Sequence, residues 1–360
     1  MNKIVFLIGN IDHLGGAQKV CVNLANELVR RGLEIEIRTL SSPGDVDQSS
    51  SYSAFERTSF KATRYRAVCF EFYRFVRRAK DRTILVFSYE FLFLLWLTSF
   101  IASPKFAVFR NINTSSKLLG NIEVNWKKRV LQSVLSQCVR YPNLIVNQSI
   151  AMDEDFRKVF KINSTLVINN PVVSNGTVFV DEAVKIDSIY ILFVGRLEKQ
   201  KDLDFAIDSF SRYLDKSKSK VTLVICGEGT EKERLKSKVV SCGLSNSIVF
   251  LGERREIASL YENAHCLVLT SLYEGFPNVV LEANSYGTPV VSLDIESGPS
   301  EIIEDGFNGL LVKERQISEF ADAIDRSFDI DWKRNEIVSR TISKYGMEVI
   351  ASKYELILNR

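Results

Sequence analysis

The chain has little histidine, little proline and no apolar run long enough to cross a bilayer, and each shortage removes a class of function. Two histidines, His13 and His265, cannot make a zinc ligand set, and the six cysteines contain no Cys-x-x-Cys pair. Cys21, Cys69, Cys138, Cys226, Cys242 and Cys266 therefore read as free thiols of a reducing compartment. Residues 91–102 are the most membrane-like, about 12 residues against the roughly 20 that a spanning helix needs. They read as a core helix, with a helix lying against a bilayer as the alternative. Met1 to Gly9 has one lysine and an apolar run too short for a signal-peptide core, so a cytoplasmic protein is expected. Asn-x-Ser/Thr triplets, as at Asn113 and Asn175, carry no meaning in that compartment. Seven prolines and 18 glycines form neither a low-complexity tract nor a repeat, which excludes fibrous and solenoid architectures.

What is present is an ordinary globular composition over 360 residues, 46% hydrophobic and 25% charged, enough for two domains. The formal charge of +3 hides an asymmetry: residues 1–170 hold 24 basic against 14 acidic side chains, residues 171–360 hold 23 against 30. A basic first half points to an anionic partner. Nine cations between 57 and 82 (Arg57, Lys61, Arg64, Arg66, Arg74, Arg77, Arg78, Lys80, Arg82) alternate with Phe60, Tyr65, Phe70, Phe72, Tyr73 and Phe75. That mixture reads as an amphipathic surface for an anionic membrane.

Apolar periodicity predicts a strand over 3–8, a helix over 15–31 and a strand over 33–39, a βαβ opening. Short apolar runs at 84–87, 106–109 and 144–146 extend a parallel sheet. Residues 169–188 interrupt the pattern and read as a linker. It restarts with strands over 190–194, 221–226, 248–251, 266–269 and 289–292, alternating with helices over 203–214, 231–240, 257–261 and 278–285. The expectation is an α/β chain of two Rossmann-like domains with parallel sheets facing across a cleft. The first covers 1–168 and the second 189–334, and a C-terminal helix over 335–360 carries Tyr345, Val349 and Tyr354 back to the first. Ligands are expected at the carboxyl ends of the strands.

Three stretches carry chemistry. Gly15 and Gly16, between the first strand and its helix, allow close backbone approach to an anion, and Gly227 and Gly229 repeat the arrangement later, although no GxGxxG fingerprint exists. In FVGRLEKQKDL (193–203) a strand ends in glycine and Arg196 and Lys201 follow, two cations able to converge on a diphosphate. In TSLYEGFPNVVLEANSYGTPVV (270–291) Glu274 lies in the loop after a strand and Glu282 eight positions on, in a helix. Carboxylates accept hydrogen bonds from vicinal hydroxyls, which suits a sugar and a ribose. The helix-start amides of Asn278, Val279 and Val280 are ready donors for phosphate oxygens.

With LGGAQKVCVNLANELVRRG (14–32), INNPV (168–172), CGEG (226–229), VFLGE (249–253) and SGPSEII (297–303), these pieces make a series covering nearly the whole chain. The chain resembles the retaining glycosyltransferases of family four, which have the two-domain GT-B architecture, and within them a polysaccharide- and lipid-linked-glycan-building branch. The resemblance implies that Arg196 and Lys201 bind the donor diphosphate and Glu282 the ribose hydroxyls. Glu274 would contact the transferred sugar beside Gly275, Phe276, Pro277, Asn278 and Val279, and Gly16 would form the loop approaching the donor from the first domain. The base would pack near Gly252 to Arg254. Many members carry a histidine after a central strand of the first domain; here Arg110 and Asn111 stand there, resembling an Arg-Asn variant. Neither can be a general base at neutral pH. His13 is an acceptor-side candidate and His265 a structural residue.

The resulting expectation is a metal-independent hexosyltransferase using a nucleotide sugar, preferably UDP-linked, and no other cofactor. The acceptor would be a saccharide, preferably lipid-linked, at the inner face of an anionic membrane. No DxD sits at a strand end; Asp45-Val46-Asp47 reads as a surface loop. A sugar-nucleotide 2-epimerase of the same architecture and a nonenzymatic sugar-nucleotide or nucleic-acid binder remain as alternatives. Modules that recognise DNA or RNA are missing, so no nucleic-acid partner is expected.

Overall fold

The computed structural model describes residues 3–9, 15–40, 55–60, 65–120, 125–173, 186, 188–217, 220–254 and 257–359. His13, the Asp45-Val46-Asp47 loop and most of the 169–188 segment lie outside the described residues. The chain divides into two units, Met1–Pro171 with Met347–Arg360, and Val172–Gly346.

The first unit runs β1 (Ile4–Ile8), α1 (Gly16–Arg30), β2 (Ile35–Thr39), β3 (Glu56–Ser59), α2 (Tyr65–Arg78), β4 (Thr83–Val86), α3 (Tyr89–Thr98) and β5 (Phe106–Arg110). It continues with α4 (Ser115–Gly120), α5 (Asn125–Cys138), β6 (Leu144–Asn147), α6 (Ile150–Phe160) and β7 (Thr165–Val167). All seven strands are parallel, in the order β3-β2-β1-β4-β5-β6-β7. β1 is buried along its whole length because helices cover both faces of the sheet. Its alternate residues feed two cores, Ile4, Phe6 and Ile8 one, Val5 and Leu7 the other. α1 buries Val20, Leu24 and Leu28, then ends at Gly32, whose φ of +89° lets the Gly32 and Leu33 amides bond back to Val29 and Leu28.

One sequence expectation changes here. Phe60, Phe72 and Phe75 of the supposed interfacial stretch are buried, packed with Phe91 at ring-centroid distances of 5.4 to 5.9 Å. Arg82 of the same stretch is engaged with the buried Glu36 at 3.0 Å. These aromatics are core, because four rings gain more by packing together than by facing water.

The second unit runs β8 (Ile189–Val194), α7 (Leu203–Lys216), β9 (Val221–Cys226), α8 (Lys232–Ser241), β10 (Ile248–Gly252) and α9 (Ala258–Asn263). It continues with β11 (Cys266–Leu269), α10 (Asn278–Ser285), β12 (Val290–Leu293), α11 (Pro299–Ile302), β13 (Gly309–Val312), α12 (Ile317–Asp329) and α13 (Arg334–Tyr345). Its six strands are parallel in the order β10-β9-β8-β11-β12-β13. The C-terminal segment is two helices: α13 packs on α10, and after Gly346 α14 (Met347–Leu358) packs on α1. α14 contributes Ile350, Ala351, Tyr354, Ile357 and Leu358 to the first core, while Tyr345 closes α13 against Phe276.

Candidate active site

In both sheets the strand order reverses beside the first strand of the unit, between β1 and β4 and between β8 and β11. Loops leaving the carboxyl ends of such strands diverge and leave room for a ligand. In the second unit these are the loops after β8 and β11, which carry Arg196, Lys201 and Glu274.

The two loops are stitched together. The Leu272 amide donates to the Gln200 carbonyl at 2.8 Å, the Gln200 side-chain amide donates to the Tyr273 carbonyl at 2.8 Å, and the Thr270 hydroxyl donates to the Lys201 carbonyl at 2.9 Å. Across this seam Lys201 Nζ meets Glu274 Oε1 at 2.5 Å, with side-chain exposures of 13% and 11%. Ser271 Oγ donates to the same carboxylate oxygen at 2.7 Å, and Ser297 Oγ donates to the Glu274 carbonyl. Behind Lys201, Asp202 adopts a left-handed φ of +44°, caps α7 through the Phe205 amide and takes Arg315 on its other oxygen. Aspartate tolerates that conformation, which turns the chain sharply from the cationic loop into the helix.

The glycines after β8, β9 and β10 do a different job from the anion cradle expected of Gly227 and Gly229. A Cβ on Gly227 would lie 1.9 Å from the Gly195 carbonyl oxygen, and one on Gly229 2.3 Å from the Leu197 oxygen. The β9 loop passes directly beneath the β8 loop, joined by Gly195 N–H to Cys226 O (3.0 Å) and Leu197 N–H to Glu228 O (2.8 Å). The third layer is tied in by Gly227 N–H donating to Gly252 O at 2.8 Å. Gly227 thus supports the loop that bears Arg196 and Lys201.

α10 begins directly after Pro277, whose carbonyl accepts the Val280 amide at 3.1 Å, so the Val280 amide counted as a ready donor from the sequence is already engaged. Phe276 and Pro277 turn their side chains into the protein. Gly298, at φ +95°, packs so closely that a Cβ would meet Pro277 Cδ at 2.5 Å, closing the back of the Gly275–Pro277 turn. On α10 the half-buried Glu282 accepts a 2.8 Å hydrogen bond from the Tyr261 hydroxyl. Burial pushes the Tyr261 phenol well above the usual tyrosine value, and the neighbouring Glu282 charge adds to this, so the phenol stays a donor. Tyr261 also stacks on Tyr286. Tyr261 does not stand out in the sequence; Ser271 and Ser297 lie in the quoted 270–291 and SGPSEII stretches without being singled out there.

The other sequence candidates are placed as follows. Arg196 and Arg254 are exposed. Gly15 precedes the start of α1 and Gly16 is its first residue, both exposed, in the first unit. Arg110 is fully buried, with two of its guanidinium nitrogens turned to the protein's own groups. Nε donates to Tyr354 Oη at 2.7 Å, Nη2 donates to Asn170, and the plane lies over Phe87. As placed, it fastens α14 to the first sheet, while its buried Nη1 has no hydrogen-bond partner among the described residues. Asn111 is equally buried, between Tyr89 and Asn147. His265 stacks on Phe328 at 3.6 Å and bonds Ser327, and burial lowers its pKa, helped by the Arg334 charge. Among the described residues no group of three His, Cys, Asp or Glu side chains is placed to hold a metal ion, and no helix is long and apolar enough to cross a membrane.

Residues 177–344 match the family model for glycosyl transferases group 1. An uncharacterized glycosyltransferase of Haemophilus influenzae is 25% identical over 99% of this chain and all of its own length. The amylovoran biosynthesis glycosyltransferase AmsD of Erwinia amylovora is 23% identical over the whole of both chains. Among solved structures, HepE of Anabaena in complex with UDP superposes with a TM-score of 0.80 over 99% of each chain at 19% identity, which speaks for the fold. Residues 177–344, most of the second unit and its cation–carboxylate site, thus match the group 1 glycosyl transferases, and the whole chain has the GT-B fold and is similar over its length to bacterial glycosyltransferases.

Proposed function

We propose that the protein is a retaining glycosyltransferase that moves a hexose or N-acetylhexosamine from a UDP-sugar to a lipid-linked saccharide in cell-surface polysaccharide synthesis. The observation that carries this reading is the Lys201–Glu274 pair, held at 2.5 Å across two loops that meet at the switch point. An ammonium has three donors, so Lys201 can keep Glu274 and still take a phosphate oxygen, while the carboxylate accepts from a sugar hydroxyl. Arg196 adds a second cation and α10 the positive end of its helix dipole; together they stabilise charge developing on the leaving diphosphate, with no metal required. Glu282, steadied by Tyr261, takes the ribose hydroxyls, and the base lies along Gly252 to Arg254.

In the transfer the anomeric carbon loses its bond to the diphosphate oxygen and gains one to the acceptor oxygen on the same face. The leaving oxygen accepts the acceptor proton, so no histidine base is needed. The UDP complex of HepE supports a uridine donor, and AmsD, named for amylovoran biosynthesis, supports a polysaccharide product. Anionic-membrane contact through the basic first half fits a lipid-linked acceptor.

The test incubates purified protein with UDP-, GDP- and ADP-sugars, with and without EDTA, and measures nucleotide release and the anomeric configuration of the product. UDP release with retention, undiminished by EDTA, is expected. No release would leave a binder, an altered donor sugar without release an epimerase, and activity lost to EDTA and restored by Mn²⁺ or Mg²⁺ would overturn metal independence.

A further inference from the structure

α3 is apolar on every side, FLFLLWLT after its first turn begins, yet among the described residues only one side is covered. Phe91, Leu92, Leu94 and Leu95 enter the core, whereas Phe93, Leu97 and, just beyond the helix, Phe100 and Ile101 are 39%, 41%, 76% and 73% exposed. Positions 93, 97, 100 and 101 form one stripe at helical spacing. Trp96 links it, its ring 5.8 Å from both Phe93 and Phe100. A helix that is hydrophobic all round is normally buried all round, so this face lacks its cover.

The flanking helices say what the cover is. α2 and α5 both pack on α3. α5 carries Lys127, Lys128 and Arg129 and no acidic residue, and exposes Trp126 (64%) and Val130 (55%) beside them. α2 carries four arginines against one glutamate, with Arg74, Arg77 and Arg78 exposed. Apolar and aromatic residues bordered by cations fit the headgroup region of an anionic bilayer, where rings enter the acyl boundary and cations meet phosphate. A second copy of this chain would set one cationic border against the other, which argues against self-association here.

We infer that the outer face of α3, with the N-terminal part of α5, is a membrane-docking surface that takes anionic lipid. This deepens the membrane contact of the proposed function and rests on that reading only for its purpose; the binding itself requires no catalysis. The sequence placed such a surface on 57–82; there Phe60, Phe72 and Phe75 are buried while Phe70 is 62% exposed beside Arg74, and the outer face of α3 adds to it.

The test is co-sedimentation at low salt with vesicles of phosphatidylglycerol and phosphatidylcholine in equal parts, or phosphatidylcholine alone. The wild type is expected to bind the anionic vesicles, with a blue shift in tryptophan emission that Trp126→Phe reduces. The double variant Phe100→Ser with Ile101→Ser should bind about tenfold or more weakly. Lys127→Glu with Arg129→Glu should lose about fivefold per cation. All these sites are exposed, so melting temperature should hold, and nucleotide release without lipid should stay at the wild-type rate. No binding to anionic vesicles, or equal binding by the serine variant, would overturn the inference. So would a wild-type dimer in light scattering that the serine variant converts to monomer, since the cover would then be a second copy. Because nucleotide release is read separately, a failure here is distinguishable from a failure of the transferase reading.

Discussion

Gly227→Ala tests whether the β9 loop sets the position of the cationic loop above it. The added methyl would start 1.9 Å from the Gly195 carbonyl oxygen. An ordinary carbon–oxygen contact is about 3.3 Å, so the two strand ends must separate by about 1.4 Å. The oxygen belongs to the peptide that leads into Arg196, and Lys201 follows five residues later in a segment pinned at Leu197, Gln200 and Lys201. Displacement of a site by about 1 Å can cost about 10²-fold in rate, so kcat/KM for nucleotide release should fall by about that factor. Alanine at the native φ of +146° adds strain of about 1–3 kcal/mol, which lowers Tm by roughly 2–12 °C for a unit of this size. Kinetics are read well below the lowered Tm, with circular dichroism as the check on folding. Activity within about threefold of wild type, with only Tm reduced, would refute the positioning argument.

Lys201→Ala should reduce turnover by about 10² or more if the ammonium stabilises the leaving diphosphate, and a near wild-type rate in purified enzyme would remove that role. Tyr261→Phe keeps the ring and its stacking on Tyr286 but removes the hydrogen bond to Glu282; weaker donor binding by about five- to thirtyfold, with kcat changed less, is expected in a KM and kcat comparison. For pH, His265 has a lowered pKa in the folded state, so the unfolded chain takes up its proton first as pH falls. Stability should be full above about 6.5 and decline below it, and thermal melts of His265→Gln should show a flatter slope between pH 7 and 5.

Much of the fold is legible in the sequence because parallel strands buried on both faces must be short apolar runs, and β9 (221–226), β11 (266–269) and α10 (278–285) occupy the predicted residues. β3, β7 and β13 are not legible: ERTS and TLV hold too few apolar residues to signal a strand, and they pair at sheet edges. The break at Gly346 escapes a periodicity argument, since both flanking segments are helical.

For the site, the sequence by itself determined which residues carry charge in the loops where strands end, Arg196, Lys201 and Glu274, and on the helix that follows, Glu282, because chemical type and position in the pattern are local properties. Only tertiary structure decided what those residues touch. It set Lys201 on Glu274, placed Tyr261 under Glu282 and gave Gly227 to the support of a neighbouring loop. It also withdrew Arg110 into a clamp on α14 and left the outer face of α3 uncovered. These depend on which loops and helices meet across sequence separations of tens to hundreds of residues, and no local pattern encodes that meeting.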